Sequence, residues 1–127
     1  MKLTLFTIIF TSFFIACFCV FLYLAYYAYS GRNRLSSKEA KKQINETEIK
    51  HIIDVRSYDE WLLGHHPKAI HMPSSKINEM KLKHIEKDES ILVYCNTGQR
   101  ARYASEKIQK LGFNNVYYIA GSYLSIM

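Results

Sequence analysis

Cysteine is scarce in this chain, with three in 127 residues, and Cys17 and Cys19 both lie in an apolar N-terminal run. Beyond that run Cys95 stands alone. A disulfide within the rest of the chain is therefore excluded, and the paired cysteines of a structural metal site are missing. His65 and His66 are adjacent and tend to point apart. They have no cysteine or acidic ligand at suitable spacing, so no metal site and no cofactor are expected. Charge is absent from Leu3 to Tyr29, and every acidic residue lies beyond that stretch. The basic residues are spread out and do not alternate with aromatics. No nucleic-acid-binding module is visible, so no nucleic acid partner is expected. A net charge of +6 suits a solvated surface near anionic lipid headgroups and favours the approach of small anions. No internal repeat is present.

What the chain does have divides it in two. The uncharged run of 27 residues, Leu3 to Tyr29, exceeds the roughly 20 that cross a hydrocarbon core as a helix. Three readings compete for it: a retained anchor, a cleaved signal and a lipoprotein signal. Lys2 is a thin basic leader for a signal, and Ala28-Tyr29-Ser30 is a poor cleavage site. Phe14-Ile15-Ala16-Cys17 loosely matches a lipobox. The run is longer than the roughly 7–15 apolar residues of a signal core. It also continues well past Cys17, where a mature lipoprotein turns polar. Length therefore favours a single-pass anchor over residues 1–30, in contact with the membrane through residues 3–29. Tyr23, Tyr26, Tyr27 and Tyr29 suit an aromatic belt at its end. A polar linker follows at 31–35, then one domain at 36–127. Lys2 alone precedes the span, whereas Arg32, Arg34, Lys38, Lys41 and Lys42 follow it. The positive-inside rule then places the domain in the cytoplasm. The extracytoplasmic orientation stays open, because the segment before the span is very short.

Within the domain, helical and strand patterns alternate. Ser36 or Ser37 caps a helix through Ile44, with Glu39 in its first turn. Ile49 to Val55 reads as a strand. Ser57 and Glu60 have capping-box spacing and open a short helix closed by Gly64. Ala69 to Met72 is a second strand, stopped by Pro73, and Ile77 to His84 is a weak helical pattern. Ile91 to Tyr94 is the third strand. Arg100 to Leu111 is a helix with Ala101, Ala104, Ile108 and Leu111 on one face. Val116 to Ile119 is the fourth strand, and a short terminal helix follows Gly121-Ser122. This order predicts an α/β fold, a parallel sheet with helices on both faces, preceded by one transmembrane helix.

The chemistry concentrates at Cys95-Asn96-Thr97-Gly98-Gln99-Arg100. An apolar strand delivers the cysteine to a short Gly-containing loop, and a helix follows at once. Backbone N–H groups of such a loop and the partial positive charge of a helix start favour an anion. Such settings favour the nucleophilic thiolate of a cysteine. For a single cysteine the alternative is a small buried apolar residue, but this one ends its strand and faces a polar loop.

With these elements in place, the domain resembles the single-domain rhodanese-like sulfurtransferases from Ser36 to Met127. Ile53-Asp54-Val55-Arg56 resembles the first family signature. Glu60-Trp61, Gly64-His65, Ala69-Ile70 and Pro73 follow the second. Cys95 to Arg100, followed by Ala101, resembles the active-site loop. Leu111-Gly112-Phe113 with Val116-Tyr117 matches the helix–turn–strand that closes the sheet. Four departures stand out: Ser122 for a second glycine, Ile126 for a tryptophan, and His66 and Lys68 for an apolar residue and a glycine.

The resemblance implies that Cys95 takes sulfur from a small anionic donor such as thiosulfate. A thiol or cyanide-like acceptor would then remove it from the persulfide. It further implies that backbone N–H groups from Asn96 to Arg100 cradle the sulfur and that Arg100 binds the donor's anionic end. Otherwise Arg100 pairs with a neighbouring acid. Thr97 and Gln99 shape the loop. Asp54, Arg56 and His65 support the site structurally rather than react. Related dual-specificity phosphatases and arsenate reductases carry five residues between cysteine and arginine, against four here, which favours sulfur transfer over phosphatase chemistry. A membrane-tethered binding module on the same fold, docked beside an unidentified membrane partner, is the non-enzymatic alternative.

Overall fold

The computed structural model describes residues 1–127. The uncharged run forms helix α1, Lys2–Ser30. It is long and apolar enough to cross a membrane, at about 44 Å for 1.5 Å per residue. Its side chains are exposed as far as Leu24, after which Ala25 and Tyr27 are half-buried and Ala28 is buried.

Five strands follow: β1 Arg34–Leu35, β2 His51–Asp54, β3 Ala69–His71, β4 Ser90–Tyr94 and β5 Asn115–Ile119. They form one sheet in the order β1-β5-β4-β2-β3, parallel at every pairing. Three helices connect them: α2 Ser37–Asn45, α3 Tyr58–Leu62 and α4 Gln99–Lys110. The Ser36 hydroxyl accepts the Glu39 N–H at 3.1 Å and caps α2. Ser57 does the same for Glu60 in α3 at 3.4 Å.

A parallel sheet is covered on both faces, so its central strand is apolar at every position. Ile91, Leu92, Val93 and Tyr94 of β4 are all fully buried. Alternation along the strand sorts them. Ile91, Val93 and the following Cys95 pack toward Ala101, Ala104 and Ile108 of α4. Leu92 and Tyr94 pack toward Ala40 and Ile44 of α2. After β2 the chain moves outward to β3, and after β4 it moves the opposite way to β5. The carboxyl ends of β2 and β4 therefore flank the point where connections diverge, the place where open parallel sheets hold ligands.

The structure differs from the sequence reading in four places. Arg34–Leu35, inside the segment read as a linker, adds a short edge strand on β5. The strand expected over 49–55 is shorter, His51–Asp54, although Lys50 and Val55 N–H at its two ends still donate to the Ser90 and Tyr94 carbonyls, each at 3.1 Å. Residues 77–84 do not form a helix. Leu82, Lys83 and Ile85 donate to the carbonyls of Glu79, Met80 and Leu82, three residues back. Ile77, Leu82 and Ile85 are buried from these separate turns. The terminal helix is a 3-10 turn at Tyr123–Ile126.

Candidate active site

β4 ends at Tyr94 and hands Cys95 to the loop. The thiol faces the α4 side of the sheet and is only 1% exposed. The Gly98 N–H donates to Cys95 Sγ at 3.1 Å. It is the one amide of the loop that does so; the cradle expected from all the loop amides is here a single contact. Gly98 is also the residue before α4, at φ +108°, a left-handed conformation that glycine adopts without penalty. A Cβ there would sit 2.7 Å from Ala120 Cα. The tight turn thus needs glycine twice, for its dihedral and for its closeness to the end of β5.

Arg100 lies in the first turn of α4. Its guanidinium donates to both Glu60 oxygens, at 3.1 and 3.3 Å, and Asn96 Nδ2 approaches the same carboxylate at 3.4 Å. Of the two expectations for this arginine, the pairing with a neighbouring acid describes the observed state. Both partners are more than a third or about a third exposed, so the pair contributes little stability, roughly 0–1 kcal/mol. Glu60 was legible in the sequence as a capping residue but not as the arginine's partner. Thr97 donates to the Gln99 side-chain oxygen, and Gln99 Nε2 reaches the Leu24 carbonyl of α1 at 3.4 Å.

Asp54 and Arg56 stand one strand over, at the end of β2. Arg56 Nε donates to both Asp54 oxygens at 3.0 Å, and Nη2 lies 2.6 Å from Oδ2. The carboxylate holds the guanidinium above its ordinary value, chiefly through this hydrogen bonding. Nη2 also donates to the Gly64 carbonyl at 2.6 Å. Arg56 therefore ties the segment after α3 to the sheet, with its charge over the rings of Tyr94 and Tyr123. His65 stacks on Trp61 with 3.4 Å between ring centroids, and its Nδ1 lies 2.9 Å from the Trp61 carbonyl. His71 stacks on Trp61 as well, at 4.9 Å. The stack fixes α3, and α3 presents Glu60 to the loop. Behind it, the Tyr94 hydroxyl accepts the His66 N–H at 3.1 Å. Burial first, then the Lys68 ammonium, holds the His66 imidazole below its ordinary value.

Chemically, this is a buried thiol with one amide on its sulfur and an adjacent cation in an exchangeable ion pair. One loop thus brings together a thiol, an amide on its sulfur and an ion-paired guanidinium. The model of the rhodanese-like domain family matches residues 36–127. The chain is 36% identical over 75 residues to a tRNA uridine(34) hydroxylase of Sodalis glossinidius, covering 54% of this chain and 21% of that protein. It is 27% identical over 82 residues to a putative sulfur carrier protein, YrkF, of Bacillus subtilis, covering 65% and 44% respectively. The chain thus spans less than half the length of either relative. Among solved structures, a rhodanese with anions from E. coli superposes with a TM-score of 0.53 at 30% identity, over 60% of this chain and 89% of that one.

Proposed function

The chain belongs to the rhodanese-like domain family, and on that premise we propose that it is a membrane-anchored sulfurtransferase. Cys95 carries the sulfur as a persulfide, and α1 holds the domain at the membrane, on the cytoplasmic side. The observation that carries the reading is the Cys95 loop itself: a lone buried thiol, Gly98 N–H on its sulfur, and Arg100 five residues beyond.

The reaction divides into two displacements. The Cys95 thiolate attacks the outer sulfur of a donor such as thiosulfate. The donor's S–S bond breaks and sulfite leaves with the electron pair. The acceptor nucleophile then attacks the outer sulfur of the persulfide, and Cys95 leaves as the thiolate. Arg100 exchanges Glu60 for the donor's anionic end, a swap made easy by the exposure of the resting pair. Gly98 N–H stabilises negative charge on Sγ when the thiolate forms and when it leaves. Asp54, Arg56 and the His65–Trp61 stack hold the loop's surroundings and touch no reacting atom.

Steady-state kinetics with thiosulfate and cyanide test the reading. Parallel double-reciprocal lines, abolished in Cys95→Ala, are expected for an enzyme that is charged and then discharged. Intersecting lines, or turnover that survives Cys95→Ala, would remove Cys95 from the reaction.

A further inference from the structure

Helix α1 does more than lead into the domain; it fixes which end of the domain faces the bilayer. Its last turns run along α4. Arg102 donates to the Tyr27 carbonyl at 2.6 Å and to the Ser30 hydroxyl at 3.0 Å. Nearer the start of α4, Gln99 reaches the Leu24 carbonyl at 3.4 Å. Asn96 and Thr97, ahead of α4, line a cleft together with Phe21 and Leu24. From Ser30 back to Phe21, α1 thus climbs from the body of α4 to the Cys95 loop. Tyr118 of β5 fastens it there. Its hydroxyl donates to the carbonyl of buried Ala28 at 2.6 Å and accepts the Gly31 N–H at 3.1 Å.

The membrane-spanning part of α1 therefore continues on the Cys95 side of the domain, beyond the carboxyl ends of the strands. A hydrocarbon core takes up about 20 helical residues, so a span starting at Leu3 leaves it near Leu22. At about 1.5 Å per residue, Leu24 lies about 3 Å past that boundary, within a headgroup layer of about 5–7 Å. Gln99 is hydrogen-bonded to Leu24, which sets the Cys95 loop at headgroup depth. The opposite end of the sheet, where His51 and Ser90 open β2 and β4, points away from the bilayer.

Helix α3 stands at the same end. It follows β2, and its Glu60 holds Arg100 and meets Asn96. Glu60 and Trp61 are turned to the domain, but Tyr58, Leu62 and Leu63 are 62%, 63% and 90% exposed. Three neighbouring large apolar side chains are thus left uncovered beside a loop held at headgroup depth. We propose that they are a second membrane contact: α3 rests in the interfacial layer of a phospholipid bilayer, and the end of the sheet that carries Cys95 faces the membrane. The inference rests on the reading of α1 as an anchor and goes beyond it. Lipid is the occupant because α1 itself brings this end of the domain to the bilayer surface. Apolar groups of an interfacial helix are buried about 5–10 Å into the boundary between headgroups and acyl chains. Asp59, the exposed acid among them, keeps the contact shallow, since a carboxylate enters the hydrocarbon core only at a large cost.

The test uses the full chain with Cys17→Ala, Cys19→Ala and Cys95→Ala, reconstituted into phosphatidylcholine vesicles. One new cysteine, Leu63→Cys, carries an environment-sensitive nitrobenzoxadiazole fluorophore. Lys50→Cys, just ahead of β2 at the opposite end of the sheet, and Ile9→Cys, within α1, carry it in parallel. Leu63 is nearly fully exposed, so its replacement disturbs no packing. Nitroxide lipids in the vesicles quench the labels that lie at their depth. The Leu63 label is expected to emit to the blue of the Lys50 label and to be quenched severalfold more by nitroxides near the headgroups. A Leu63 label as red-shifted and as poorly quenched as the Lys50 label, while acyl-chain nitroxides quench the Ile9 label, would overturn the lipid contact and leave the anchor standing. The exposed face of α3 would then belong to a protein partner. An Ile9 label that escapes acyl-chain nitroxides would overturn the anchor, and the second contact with it.

Discussion

Gly98→Ala perturbs the one residue on which the loop's shape and its sulfur contact both depend. The added Cβ would stand 2.7 Å from Ala120 Cα and 3.2 Å from Ala28 Cβ, at φ +108°. A left-handed conformation costs an L residue about 1–2 kcal/mol. Backbone contact closer than real Cβ atoms make adds about 1–3 kcal/mol of overpacking, for a total of about 2–5 kcal/mol. A domain of this size loses about 4–8 °C of melting temperature per kcal/mol, so a drop of roughly 8–40 °C is expected. The same shift draws Gly98 N–H away from Cys95 Sγ. One hydrogen bond of up to about 1.5 kcal/mol is worth roughly tenfold in rate. The assay pairs a near-ultraviolet circular dichroism melt of the full chain in detergent with the rate of Cys95 charging by thiosulfate. Charging is measured well below the mutant's melting temperature, so that unfolded protein does not mask the effect. A melt within about 2 °C of the wild type together with unchanged charging would refute the reasoning, because the loop would then tolerate what the geometry forbids.

Other outcomes follow from neighbouring contacts. Arg100→Ala is expected to raise the thiosulfate KM by roughly 10- to 100-fold, as loss of a charge-assisted contact of about 1.5–3 kcal/mol implies; an unchanged KM would place the donor's anion elsewhere. Glu60→Gln releases Arg100 from its carboxylate, so KM for thiosulfate should fall by up to about fivefold, the worth of a surface pair; a rise would make Glu60 a helper rather than a competitor. Asp54→Asn leaves the buried Arg56 guanidinium without its counter-ion and should destabilise the fold by about 3–5 kcal/mol in urea unfolding. His66 is held neutral by burial, so its folded pKa lies below the unfolded one. Its contribution is complete above the unfolded value and is lost as pH falls from there toward the folded one. Stability should therefore decline below about pH 6.5, and His66→Gln should flatten that decline; an equally steep decline in the variant would assign it to other groups.

What could be read in the sequence was what neighbours along the chain decide. The apolar β-branched run of β4, the Ser36 and Ser57 caps, and the helix after the Cys95 loop all follow from local pattern, and the structure has them. The short edge strand Arg34–Leu35 has no pattern of its own and exists because β5 offers it an unpaired edge. The weak apolar pattern over 77–84 reads as helical, yet its buried residues are held by separate turns under α4. The Cys95 loop was legible as a constellation, because strand, cysteine, glycine and arginine fall within ten residues. Its partners were not, since Glu60 lies 40 residues from Arg100 and Leu24 lies 75 from Gln99. Only the packed sheet brings them together.

The most direct test of sulfur transfer at Cys95 is the intact mass of the full chain after incubation with thiosulfate, beside Cys95→Ala. A gain of one sulfur atom, removed by cyanide or a reductant and absent from the variant, is the expected result. A folded wild-type chain that gains no sulfur from thiosulfate or other sulfane donors would contradict it.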